Sequence, residues 1–250
     1  MAGSYAGHVK MRVKAMKGGM SGGTYASLSY VMEEAEKDAQ VFHPLLEPYV
    51  LNPKDSPKGQ DEPDLDKVAY DTDAKSWIAP FIMSVINTKV VRRSNALAEF
   101  PYGLTFKYDE AMLTGDGISG RLKGLVTTGV LGALMAGKSG SLWKKLIGRI
   151  LPNPGEGPNK KARDNGFYNL VFICKMNDGQ TLKGRVTGDR DPGYGSTSKM
   201  LGEAAVCLAL DKKKCPDITG VLTPATALGA PYLKRLEDNA GLTFKLYTGI

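Results

Sequence analysis

Few residues in this sequence are suited to chemistry, and their spacing narrows what they can do. Gly19-Met20-Ser21-Gly22-Gly23 matches the strand-to-helix turn that exposes a serine nucleophile. Such a serine needs a later histidine, and the only one is His43, about one helix away and followed by a proline. The same turn has a second use. Exposed N–H groups at a helix start hold an anionic group, which singles out Ser21, Gly22, Gly23 and Thr24. Gly132-Ala133-Leu134-Met135-Ala136-Gly137-Lys138-Ser139 satisfies the phosphate-cradling pattern G-x-x-x-x-G-K-S. Its inner residues are helix formers, however, and the apolar run before Asp211, the partner such a loop needs, has helical periodicity. Arg92 and Arg93 carry guanidinium groups for a carboxylate or phosphate. Adjacent helical positions point apart, so at most one faces a pocket. Tyr102, Tyr194 and Lys199 are general-acid candidates by residue type alone, and no residue is assigned a catalytic role.

Metal and disulfide chemistry are not expected. His8 and His43 have no metal-ligand partner at helical or loop spacing. Cys174, Cys207 and Cys215 form no C-x-x-C pair, and an odd number is a poor disulfide framework. With no glycosylation sequon, this favours a reducing, intracellular compartment. The net charge of +7 suits nucleic acid, anionic lipid or an acidic ligand. Aromatics are not interleaved with the basic residues, so nucleic acid is not an expected partner. Residues 1–8 do not read as a signal peptide. No run reaches the roughly 18 apolar residues of a transmembrane helix.

The elements that must position these residues are read from periodicity. Residues 8–16 alternate as a strand with Val9, Met11, Val13 and Ala15 on one face, and a helix follows to about residue 38. Residues 44–67, with five prolines among charges, read as an irregular surface excursion. Pro80 is expected to open a helix running to about residue 98, and 104–108 a short strand. Residues 114–158 read as a flexible, amphipathic insertion. Trp143, Leu146, Ile147 and Ile150 share one face there, opposite Lys144, Lys145 and Arg149, which suits contact with a membrane surface. Residues 167–176 and 180–187 form a hairpin around Asn177-Asp178-Gly179. A helix capped near Ser196 or Thr197 then turns Met200, Leu201, Ala204, Ala205 and Leu208 inward. Thr223-Pro224 opens a last helix broken at Pro231, and 242–247 is a final strand. Strands and helices without regular βαβ spacing predict an α+β fold, with a mixed, largely antiparallel sheet flanked by helices, over residues 1–250.

Several blocks, in order, match one family. They are Lys17-Gly18-Gly19-Met20-Ser21-Gly22-Gly23-Thr24; Pro80-Phe81-Ile82-Met83 through Ile86-Asn87-Thr88-Lys89-Val90-Val91-Arg92-Arg93-Ser94; Pro152-Asn153-Pro154-Gly155-Glu156-Gly157-Pro158; Asp191-Pro192-Gly193-Tyr194-Gly195-Ser196-Thr197; Gly220-Val221-Leu222-Thr223-Pro224-Ala225; and Asn239-Ala240-Gly241-Leu242-Thr243-Phe244. The set resembles the saccharopine-dehydrogenase-like oxidoreductases, the group that includes the trans-acting enoyl reductases of glycolipid synthesis. The resemblance implies the C-terminal, substrate-side domain of a two-domain enzyme whose Rossmann domain this sequence lacks.

It further implies an apolar or lipid-linked substrate, in lipid or glycolipid metabolism, and a cofactor, NADP or NAD, that this chain alone is not expected to bind. Ser21, Gly22, Gly23, Thr24, Asn87, Arg92, Tyr102 and Tyr194 are the substrate-binding candidates. Trp143, Lys144, Lys145 and Ile147 are the membrane-contact candidates, and no metal is assigned. The implied partners are a lipid droplet or membrane surface and a partner chain or homodimer covering residues 197–210. The implied location is the cytoplasmic side of a membrane or lipid droplet, or the mitochondrion. The competing readings are a non-catalytic lipid-surface or assembly protein on the same scaffold and a nucleotidase using Lys138.

Overall fold

The structure, a computed structural model, describes residues 5–18, 22–41, 43–59, 63–135 and 156–248. Its strands are β1 (Ala6–Lys17), β2 (Ala69–Asp71), β3 (Ser76–Pro80), β4 (Lys107–Gly115), β5 (Phe167–Met176), β6 (Thr181–Gly188) and β7 (Leu242–Thr248). Its helices are α1 (Gly22–Lys37), α2 (His43–Leu46), α3 (Ser84–Leu97), α4 (Gly117–Met135), α5 (Lys160–Asp164), α6 (Gly195–Leu210) and α7 (Pro224–Asn239). The strands form one mixed sheet in the order β2-β3-β4-β1-β5-β6-β7. Among the described residues only β1 and β4 pair in parallel, and the other neighbours are antiparallel. The expected α+β class, with helices flanking a largely antiparallel sheet, is what forms.

The alternation of β1 decides its two faces. Met11 and Val13 enter a core with Phe81, Phe106 and Tyr108, while Arg12 between them faces the other way. Leu170 on β5 joins this core to a second one, where Tyr168 and Leu242 meet Leu236 of α7 and Ala240 just after it. The β5–β6 hairpin closes on Gly179 at φ 87°, a left-handed conformation that glycine adopts without strain. α7 starts with Thr223 and Thr226 capping each other and breaks at Gly229 (φ 58°), two residues before Pro231.

Four expectations are corrected. Pro80 does not open a helix: it ends β3, opposite Ala111 of β4. β2 pairs with β3 only as far as Ile78, so the N–H that Pro80 lacks is not needed by the sheet. α3 begins at Ser84 instead. α6 is not capped by Ser196 or Thr197. The buried Asp191 carboxylate accepts from the N–H groups of Gly193, Tyr194 and Gly195 at 2.8–3.0 Å and holds the turn into the helix. α6 is also rotated from the expected facing. Met200, Ala204 and Cys207 turn inward, against Tyr232 and Leu228 of α7, and leave Leu201 and Leu208 exposed. The excursion at 44–67 reaches the interior, since Tyr49 is buried and stacks on Arg92. Within 114–158, the described residues complete β4, form α4 and lead into α5; residues 136–155 lie outside them.

Candidate functional site

α3 buries polar residues. Ser84, Thr88, Lys89, Arg92 and Asn95 are all less than a tenth exposed, and helical spacing places them on one side, toward the sheet. Thr88, Lys89, Arg92 and Asn95 each bond an internal carbonyl. Thr88 donates to the Ser84 carbonyl (2.8 Å) and Lys89 Nζ to the Val85 carbonyl (2.7 Å). Arg92 reaches the Tyr108 carbonyl (3.4 Å), and Asn95 donates to the Gly103 carbonyl (3.1 Å). From β4, Tyr108 and Glu110 point at this side. The Glu110 carboxyl accepts from Asn87 Nδ2 and from the Tyr108 hydroxyl, both at 2.9 Å.

Burial controls the protonation of this group. It pushes the Glu110 carboxyl above its ordinary value, and the two hydrogen bonds only partly reverse this. Burial also raises the Tyr108 hydroxyl, with Glu110 adding to the effect, and lowers the Lys89 ammonium, with Asp64 opposing it. A buried carboxyl held toward its neutral form is a proton donor in waiting. Because its folded pKa is raised, Glu110 contributes stability that is complete below its unfolded value, about 4.3, and lost as pH rises through the folded value. The unaltered chain should therefore lose more thermal stability than Glu110→Gln between about pH 5 and pH 8. Parallel melting-temperature profiles would show the raised pKa to be wrong.

Beside this group lies an apolar cavity of about 440 Å³, within the range of small-molecule sites. Phe81, Ile82, Val85 and Leu131 supply apolar wall, while Asp64 and Ser84 supply polar atoms. Asp64 and Val85 tie the cavity to Lys89: the Asp64 carboxylate stands 4.0 Å from Lys89 Nζ, and Val85 carries the carbonyl that accepts from it. The arrangement can enclose a flexible apolar chain, with the Asp64–Lys89 pair at its wall and, on β4, a carboxyl that burial raises above its ordinary value.

The candidates named from sequence are scattered. Asn87 belongs to the Glu110 group. Arg92 supports that group from within, its guanidinium 5.6 Å from the Tyr49 ring centre. Tyr102 lies half exposed beyond the C-terminal end of α3, its N–H donating to Asn95 Oδ1 (3.2 Å) and its ring against Phe106. Tyr194 borders a separate cavity of about 570 Å³ with Arg163 and Asn159. Lys199 pairs with Asp189 (3.1 Å). Ser21 lies outside the described residues, as do Trp143, Lys144, Lys145 and Ile147. Gly22 and Gly23 open α1, with Thr24 following, and the Gly22 N–H donates to the Glu156 carbonyl (2.9 Å). Gly132 sits inside α4 and not in a phosphate loop. Sequence reasoning missed Lys89, Glu110 and Tyr108. The available signal was a polar stripe at helical spacing, Ser84-Thr88-Arg92-Asn95, in a helix whose other positions are also mixed.

The opposite face of β1 and β4 carries an ion-pair network. Arg12, 2% exposed, holds Asp71 at 2.7 Å and Asp109 at 2.5 Å. His8 reaches Asp109 (2.6 Å), and Asp73 joins Lys10 (2.6 Å) to Lys175 (2.8 Å). Hydrogen bonds from Lys10 and then Lys175 bring the Asp73 carboxyl down to about 2. No cluster of metal-ligating residues occurs among the described residues.

A dinucleotide needs free backbone N–H groups at a glycine-rich strand-to-helix turn. The turn between β4 and α4, Gly115-Asp116-Gly117-Ile118-Ser119-Gly120, has the G-x-G-x-x-G pattern, also missed from sequence. Gly115 and Gly117 have φ of 105° and 64°. A Cβ on Gly120 would lie 2.1 Å from the Gly115 carbonyl oxygen, so only glycine lets helix and strand approach this closely. Yet the Asp116 carboxylate accepts from the Gly117 N–H (2.7 Å) and the Tyr70 hydroxyl (3.3 Å), setting negative charge at the amides a pyrophosphate would need. The turn does not fit a dinucleotide.

Fold and site together define an α+β chain with an apolar cavity backed by buried proton-carrying groups. A protein of Mycobacterium tuberculosis named as a trans-acting enoyl reductase is 39% identical over 234 residues, covering 90% of this chain and 56% of the relative. A trans-acting enoyl reductase of Mycobacterium ulcerans is 32% identical over 228 residues, covering 87% and 54%. One of Mycobacterium bovis is 32% identical over 226 residues, with the same coverage. The chain thus spans about half the length of the curated relatives it matches. The similarities support an enoyl-reductase-like family and suggest a nicotinamide-type cofactor in that family. No family model matches the chain, and no solved structure does.

Proposed function

We propose that this chain is the substrate-side part of a saccharopine-dehydrogenase-like enoyl reductase that takes an apolar, lipid-linked enoyl substrate in lipid or glycolipid metabolism. The observation that carries the reading is the apolar cavity lined by Asp64, whose carboxylate faces Lys89, in a chain similar to trans-acting enoyl reductases. Reduction of a conjugated double bond must end with a proton added to carbon, so the reaction needs a proton source that bulk water does not supply in a dry site. The Glu110 carboxyl, raised by burial and bonded to Tyr108 and Asn87, is the candidate proton source, and Asp64, which lines the cavity, stands 4.0 Å from Lys89 Nζ. The nicotinamide cofactor, NADP or NAD, is held outside the described residues of this chain, whose glycine turn carries a carboxylate where the cofactor needs free amides.

Calorimetric titration with a medium-chain 2-enoyl thioester tests the cavity. Saturable binding is expected, weakened at least about tenfold by Leu131→Trp, which fills the space; a buried methylene is worth about 0.8 kcal/mol, so displacing two or more suffices. Absence of binding, or equal binding by Leu131→Trp, would overturn the reading. The non-catalytic alternative gains support from one observation, the exposed apolar face of α4.

A further inference from the structure

α4 is built the wrong way round for a helix that covers a sheet. A covering helix normally turns its large apolar residues inward. Here the residues against β3 and β4 are small. A Cβ on Gly120 would strike Gly115, and one on Gly124 would touch Val68 at 3.0 Å. The large apolar residues point outward: Ile118, Leu122, Leu125, Val126 and Val130 are each more than half exposed, Ile118 at 81%. Their spacing is helical, so they form one continuous stripe along the helix. The glycines let the backbone seat on the sheet without side chains, which frees the apolar side for another surface. Scattered exposed apolar residues need no explanation, but five in one stripe do.

Charge decides what that surface is. From residue 117 to residue 155 the sequence holds six basic residues, Arg121, Lys123, Lys138, Lys144, Lys145 and Arg149, and no carboxylate. The whole chain has a net charge of +7, so this stretch accounts for nearly all of it. A second copy would bring this basic, carboxylate-free stretch of sequence toward its own like charge. A nucleic acid would satisfy the charge and leave the apolar stripe in water. An anionic bilayer satisfies both, since its headgroups attract lysine and arginine while the acyl boundary takes leucine, isoleucine and valine. No described helix is long and apolar enough to cross a membrane.

We infer that the outer face of α4 docks this protein on an anionic lipid surface, the helix lying along the interface. The inference stands whether or not the neighbouring cavity accepts an enoyl substrate.

Flotation with vesicles tests it. The chain is expected to float with vesicles containing phosphatidylserine, to float poorly with pure phosphatidylcholine, and to be released as salt shortens the range of the attraction. Leu122→Asp/Val126→Asp is expected to cut flotation at least about tenfold, with an unchanged melting temperature because both residues are exposed. Undiminished flotation of the double variant, or no flotation of the unaltered chain, overturns the inference. So does a dimer, seen by light scattering, that these substitutions split while vesicles are ignored; that result gives the face to a second copy. If the double variant fails to fold, the lipid and salt dependence of the unaltered chain decide.

Discussion

Replacing Arg12 by alanine is expected to destabilise the protein by about 3–5 kcal/mol at neutral pH, the cost of removing one partner from a buried ion pair. Arg12 is almost wholly buried, and its guanidinium bonds Asp71, Asp109 and the Met11 carbonyl at once. Without it, Asp71 is left as a buried carboxylate supported only by Lys10 at 3.6 Å and the N–H groups of Asp73 and Ala74. The penalty must depend on pH. Burial raises the Asp71 and Asp109 carboxyls, but backbone N–H groups and Arg12 at the first, and His8 and Arg12 at the second, hold both below the ordinary value. A carboxyl with a lowered folded pKa contributes stability that is present above its unfolded value, about 3.9, and lost as pH falls through the folded one. Urea unfolding should therefore show a large deficit for Arg12→Ala at pH 7 that narrows below about pH 4. Asp71→Asn in the same background should recover part of it, because the uncompensated charge is gone. A deficit below about 1 kcal/mol at pH 7 would show the network to be solvated, as surface pairs are.

Asp191→Ala is expected to cost about 3 kcal/mol or more, because three backbone N–H groups lose a charged acceptor in a buried turn. That is a fall of roughly 6–12 °C in melting temperature for a chain of this size. The turn cannot easily find a substitute. Gly18, Gly166 and Gly195 all press on Asp191, and a Cβ on Gly166 would lie 2.4 Å from its backbone. Asp191→Asn keeps one acceptor oxygen and should lose about half as much. Equal melting of Asp191→Ala and the unaltered chain would mean that other acceptors or water replace the carboxylate.

Asp191 also shows why some of the fold was legible and some was not. The loop Asp191-Pro192-Gly193-Tyr194-Gly195 reads as a turn into a helix from residue types alone. Which side chain caps the helix depends on the turn's path in space, and the sequence favours the nearer Ser196 or Thr197. Ser196 is instead buried, sharing a hydrogen bond with Tyr168 (2.9 Å). The rotation of α6 follows the same logic. Apolar residues occur on several of its sides, so its own periodicity selects no face, and the choice falls to what α7 and β5 present.

Local chemistry determined a good deal by itself. The alternation of β1, the hairpin at Gly179, the capped start and broken middle of α7 and the α+β class all follow from periodicity and from glycine, proline and threonine acting on their neighbours. The candidate site does not. Asn87, Tyr108 and Glu110 are ordinary polar residues until α3 is laid on β4, and Lys89 reads as a solvated lysine until Asp64, 25 positions earlier, is brought to 4.0 Å from it. Buried polarity is a property of pairs distant in the chain, and its cost is met only when both partners are in place. The outward apolar stripe of α4 is a tertiary result too: which side of a glycine-rich helix faces water is decided by how closely a strand allows it to approach.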